Sequence, residues 1–219
     1  MATTSNERRP IAAYALLGIA VVLFAIGSYI GLAVAPPEHY MGDVQRIMYV
    51  HVPTAWVAMV TLLCAFASAL AFLFGRKWKW DARMEAFIEV GVLLSALLCV
   101  QGSIWAKPTW GVWWDWDPRL TTTAVMLFAF IGILALRRFV EDPVRRATWS
   151  AVATIVAFAD VPIVYFSVKW WNTLHQVQST PETVDGPMIT PLRINAFAML
   201  FLMMGFVRLR TRQIGRAHV

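Results

Sequence analysis

Trp110-Gly-Val-Trp-Trp-Asp-Trp-Asp-Pro-Arg-Leu-Thr121 is an aromatic, charged island between two apolar runs, 84–105 before it and 120–136 after it. Read as a connection, it makes those two runs antiparallel neighbours, and the rest of the chain falls into the same pattern. A helix crosses about 30 Å of hydrocarbon with roughly 20 apolar residues. Four further stretches approach or reach that length: 11–35, 50–75, 147–168 and 191–207. With 59% hydrophobic and 15% charged residues, the chain has too few polar side chains to clothe a soluble domain. The expected fold is all-α: a polytopic membrane protein with six transmembrane helices, one membrane domain over 1–219, and short connections.

The first run follows Arg8 and Arg9 and ends in Ala-Val-Ala, as a secretory signal would. Its apolar core is too long for a signal and Pro36 follows the would-be cleavage site, so it reads as a retained span. If six spans alternate, four basic groups share one side: Arg8 and Arg9; Arg76, Lys77, Lys79 and Arg83; Arg137, Arg138, Arg145 and Arg146; and Arg208, Arg210, Arg212 and Arg216. They are most of the 19 basic residues. The positive-inside rule then puts both termini in the cytoplasm and turns the loop 106–119 outward, toward a periplasm if the membrane is a bacterial inner membrane. The net charge of +6 is thereby a topological signal directed at the lipid bilayer, and nucleic acid is excluded as a partner.

Cys64 and Cys99 fall inside spans, with no Cys-x-x-Cys and no Cys-x-x-Cys-His. The chain reads as neither a thiol oxidoreductase nor a c-type cytochrome, and both cysteines as small packing residues. Glu89, Gln101 and Asp160 are the polar anomalies within spans. Ionisable groups there are costly and are expected to face another helix or a wet cavity. Glu89, near the cytoplasmic end, is expected to snorkel, and Asp160 precedes Pro162, which is expected to kink its helix.

The outward side collects the chemistry. His51 opens the second span and His175 follows the fifth, so both imidazoles lie near the surface that carries the island. Trp110, Trp113, Trp114 and Trp116 crowd into seven residues, and a short loop cannot turn all four toward lipid as an interfacial belt would. Aromatic faces suit a large planar ring, and two neutral imidazoles can hold haem iron from opposite sides. Arg119 matches a propionate carboxylate. Asp117-Pro118 reads as a helix start, with Asp117 as N-cap and Pro118 at the first helical position. Asp115 stays open between loop hydrogen bonding and contact with a partner, and His39 and His218 carry no assigned role.

At these residues the sequence resembles a known family. Trp-Gly-x-Trp-Trp-x-Trp-Asp at 110–117, with Arg119-Leu-Thr after it, resembles the tryptophan-rich WWD segment of haem-handling proteins of cytochrome c biogenesis. Arg46-Ile-Met-Tyr-Val-His-Val-Pro-Thr-Ala-Trp56 and Trp170-Trp-Asn-Thr-Leu-His-Gln176 are similar to segments of the cytochrome c maturation protein C family, also called haem exporter protein C. The resemblance runs from the first span to the sixth. It implies that haem b (iron protoporphyrin IX) is bound at the periplasmic face, with His51 and His175 as axial ligands and Trp110, Gly111, Trp113, Trp114, Asp115, Trp116 and Arg119 as the haem-contacting segment. It implies presentation of haem to a periplasmic haem chaperone, maturation protein E. It also implies a complex with an ABC transporter of maturation proteins A and B and the small membrane protein D. No residue reads as a general acid, base or nucleophile, so proximity and orientation would supply the rate. Two alternatives stand beside this reading: a subunit that carries haem across the bilayer, and a structural subunit that docks the transporter through its basic cytoplasmic loops.

Overall fold

Without water, every backbone donor and acceptor inside a bilayer must be satisfied by the protein, which leaves helices as the solution for apolar runs of this length. The computed structural model describes residues 10–176, 179 and 182–217. Among these there is no β-strand, and six helical segments are long and apolar enough to cross a membrane. They are built from α1 (Ile11–Tyr29), continued by a widened turn at Ile30–Val34; α2 (Met48–Gly75), entered through a tight turn at Asp43–Ile47; α3 (Trp78–Trp110); α4 (Pro118–Phe139); α5 (Pro143–Phe158) with α6 (Asp160–Trp170); and α7 (Gly186–Ala217). The all-α, six-crossing expectation is met.

Local chemistry sets the ends. Asp117 and Asp142 each precede a proline, and each carboxylate accepts a backbone N–H of the first turn that follows, from Leu120 (2.8 Å) and Arg145 (2.7 Å). The fifth crossing breaks at Ala159 because Pro162 has no N–H for the carbonyl of Phe158. The Ala159 N–H bonds three residues back to Val156 (3.1 Å), as in a tighter turn. The third crossing runs farther than its apolar run suggests. α3 continues through Trp110, where the Thr109 hydroxyl donates to the Trp105 carbonyl and Gly111 closes the helix in the left-handed region at φ 80°. The irregular part of the aromatic island is therefore 111–117 rather than the whole of 106–119.

α2 and α3 form the centre of the bundle. One buried cluster joins them to α4 and α5 through Leu62, Phe72, Ile88, Met126, Phe130 and Ala147, and a second joins them to α7 through Ala58, Ala86, Leu94, Met199 and Met203. α1 packs along α7 at close range: Gly27 faces Asn195, and Gly205 faces Leu17, where an added Cβ would overlap its neighbour. Asn195 has a second task. Pro53 deprives the Tyr49 carbonyl of its helical donor, and the fully buried Asn195 side chain supplies one, Nδ2 donating to that carbonyl at 2.7 Å.

Alternation puts the start of α2 and α4 and the end of α3 and α6 at one end of the bundle. The other end holds most of the arginines, and there the charges pair. Asp81, fully buried, receives two parallel hydrogen bonds from Arg137 (2.8 and 3.0 Å), and Arg137 also reaches Glu85 at 2.6 Å. Arg210 pairs with Glu89, with a second contact at 2.8 Å. Glu89 is thus held by α7 instead of snorkelling, and the helix beyond Arg208 packs Ile214 into the core.

Removing Arg137 takes both guanidinium hydrogen bonds from the buried Asp81 carboxylate. Arg137→Leu is expected to destabilise the protein by about 3–5 kcal/mol, read as a lowered thermal unfolding midpoint in detergent, whereas Arg137→Leu with Asp81→Asn recovers part of the loss because the fully buried charge is gone and only the less buried Glu85 is left without the guanidinium.

Candidate functional site

The end of the bundle that carries the aromatic island opens into a cavity between α2, α3, α4 and α6 that is partly open to the surroundings. Its size is set by small residues at helical spacing: Ala55 and Ala58 on α2, and Gly102 and Ala106 on α3. Large side chains at those positions would close it.

His51 and His175 both line this cavity, although 124 positions separate them in sequence. His51 is buried on the first turn of α2, with Trp105 of α3 edge-on to its ring at 5.5 Å. His175 sits on the irregular segment after α6. The two ring centroids are 6.4 Å apart and the planes are tilted by 31°. A metal bonded to one nitrogen of each ring at about 2 Å would hold the ring centres roughly 6 Å apart, so the spacing fits one ion between them. Nδ1 of His175 lies 2.8 Å from the Gln176 carbonyl. With a proton donated there, Nε2 keeps the free lone pair. Burial, and then the charge of Arg119, push His175 down to about 4, against smaller opposing effects of the Gln176 carbonyl and Asp117.

The island divides. Trp110 and Trp114 line the cavity together with Arg119, whereas Trp113 (59% exposed) and Trp116 (75% exposed) face outward. Trp116 meets Trp114 edge-on at 5.7 Å. Gly111 contributes the left-handed backbone turn and an exposed position away from the cavity lining. Asp115 is half-buried and also outside the lining. Asp117 is buried and does more than cap α4: its other oxygen accepts from the Thr173 hydroxyl and from the Leu174 N–H (3.1 Å). His39 stands apart, edge-on to the exposed Tyr40. His218 lies outside the described residues.

The lining is largely apolar, and three of its residues carry a donor without a partner. Arg119 Nη1, Trp114 Nε1 and Trp105 Nε1 are buried with no hydrogen-bond partner among the described residues. Buried donors are rarely left so, and three of them around an apolar slot suit a guest with a flat apolar body and carboxylate edges. Sequence reasoning missed Trp56, Trp105, Gly102 and Tyr165, which complete the lining. Trp105 and Gly102 had a signal, since 98, 102, 105 and 109 fall on one face of α3 once that helix extends past 105.

The family described as Heme exporter protein C matches residues 4–218 of this chain. The Heme exporter protein C of Bradyrhizobium diazoefficiens is 35% identical over 207 residues, covering 92% of this chain and 78% of that protein. That of Haemophilus influenzae is 38% identical over 199 residues, covering 89% and 80%. A cytochrome c biosynthesis ccmC-like mitochondrial protein of Marchantia polymorpha is 32% identical over 203 residues, covering 91% and 86%.

The low value for His175 is directly measurable. In ligand-free protein its ring carbons should titrate near pH 4 by NMR; a midpoint near 6.5 would mean the ring sits in water. Because the folded value lies below the ordinary one, the unfolded chain takes up the proton first, and this residue lowers stability as pH falls from about 6.5 to 4.

Proposed function

The chain belongs to the Heme exporter protein C family, multi-pass membrane proteins of cytochrome c biogenesis, and we propose that it holds haem b at the outer face of a bacterial inner membrane and presents it to a periplasmic haem chaperone, the maturation protein E. The observation that carries this reading is the pair of imidazoles, 6.4 Å apart and joined by one aromatic cavity. Haem is the cargo. His51 and His175 ligate its iron, Trp110 and Trp114 cover the ring, and Arg119 with the indole N–H groups takes the carboxylates.

The chain's own residues bind and orient, and no general acid or base is needed. Imidazole stays neutral, the ligating form, because the site is buried and already holds the Arg119 charge. Trp113 and Trp116, exposed beside the cavity, supply an apolar surface for the chaperone to meet. The arginine-rich opposite end faces the cytoplasm by the positive-inside rule. There it is the natural contact for the ABC transporter of maturation proteins A and B, with the small membrane protein D as a further subunit. The cavity supports presentation over carriage across the bilayer: its lining on α2 reaches Met59, eight residues or about 12 Å beyond His51, and remains in one half of the bundle.

Purified protein should bind haem with a six-coordinate low-spin spectrum. His51→Ala and His175→Ala should each weaken binding by roughly 10- to 100-fold and shift the spectrum toward high spin; an unchanged spectrum in both removes the ligand assignment. The divided island gives a finer test. Trp114→Ala should lower haem affinity by roughly tenfold, whereas Trp116→Ala should leave affinity near wild type and slow covalent transfer to the chaperone. Equal effects of the two on affinity would return the island to a single platform.

A further inference from the structure

His51 is fixed by a long helix, but nothing regular holds His175. It lies five residues beyond the end of α6, on a segment that has left the helix at Trp171 in extended backbone. The contacts that anchor this segment converge on one carboxylate. Asp117 Oδ1 accepts the Leu120 N–H at the start of α4 (2.8 Å), while Oδ2 accepts the Leu174 N–H (3.1 Å) and the Thr173 hydroxyl. Thr173 Oγ1 in turn accepts the N–H of His175 at 3.1 Å. The residues joined across this junction are 56 and 57 apart in sequence.

We propose that Asp117 is a positioning residue: one oxygen starts α4, which carries Arg119, and the other clamps the Thr173-Leu174 backbone so that His175 faces His51 across the cavity. The inference rests on the reading of His175 as a haem ligand. Asp117 is well suited to the task because an ionised carboxylate offers acceptors only, and three donors point at it. The carboxylate itself is buried, which strengthens the bonds it accepts. Without the clamp, the backbone at 171–176 regains conformations that place the imidazole elsewhere, and part of any binding energy at the iron must be spent on ordering it.

Asparagine separates the two tasks. Asn caps helices as well as Asp does, so Asp117→Asn can keep the bond to Leu120. Its amide NH₂ then stands where an acceptor is required, and the Leu174 N–H meets a donor. Thr173→Val removes the hydroxyl relay to His175 without touching the cap.

The test uses the full-length protein in lipid nanodiscs. In ligand-free protein, hydrogen exchange over 171–176 should speed up by roughly tenfold or more in Asp117→Asn, with exchange at the start of α4 unchanged; unaltered exchange over 171–176 overturns the clamp. With haem bound, Asp117→Asn and Thr173→Val should weaken affinity by roughly 10- to 100-fold, as loss of a ligand's supporting bonds does. Both should shift the spectrum toward high spin, and added imidazole should restore the low-spin form, as it should in His175→Ala. A low-spin spectrum with wild-type affinity in Asp117→Asn, despite faster exchange, overturns the positioning role. If His175→Ala itself leaves the wild-type spectrum unaltered, the ligand assignment falls, and the exchange result alone still decides the clamp.

Discussion

A backbone carbonyl in hydrocarbon without a donor costs several kcal/mol, and the architecture of the site follows from how this chain meets that constraint beside a proline. Pro53 sits two residues after His51 and frees the Tyr49 carbonyl. Asn195 supplies the missing donor from α7. That single bond ties the turn bearing His51 to α7, and Gly27 of α1 leaves the room Asn195 needs. Three crossings thereby agree on where one imidazole stands. The helix keeps its proline, and the ring gains a rigid base.

Buried polar groups find partners at the two ends of the bundle as well. At the aromatic end Asp117 accepts backbone N–H groups from two segments. At the arginine end the side chains pair: Asp81, Glu85 and Glu89 rise at four-residue intervals along α3 and meet Arg137 and Arg210. Charges spaced by four lie on one helix face. This ladder joins α3 to α4 and α7 where apolar packing alone would leave their rotation loosely set. The cavity opens at the opposite end, between helices whose rotation these pairs help to fix.

Much of this was legible in the sequence because the signals are local. Apolar run length gave the crossings, Asp-Pro gave the start of α4, and Pro162 gave the break in the fifth crossing. Histidines 51 and 175 stood out because alternation put them at one surface. The division of the island did not show, since it depends on which way each indole turns once α3 has run on to Trp110 and Gly111 has reversed the chain. Arg137 was read as one more topological charge, because an arginine in the last turn of a span looks the same whether it faces lipid headgroups or a buried aspartate. The second oxygen of Asp117 was invisible for a similar reason: its partners lie more than fifty residues away, and a cap already explained the residue.

The two imidazoles stand on supports of unequal stiffness. His51 belongs to a 28-residue helix cross-braced by α7, whereas His175 hangs from an irregular segment held by a handful of hydrogen bonds. Opening the second costs far less than opening the first, because only a short stretch of backbone must move. For a guest gripped from both sides, dwell time is then governed by the softer jaw. A guest so held would leave in a set order, with the His175 side yielding first and the His51 side acting as the pivot.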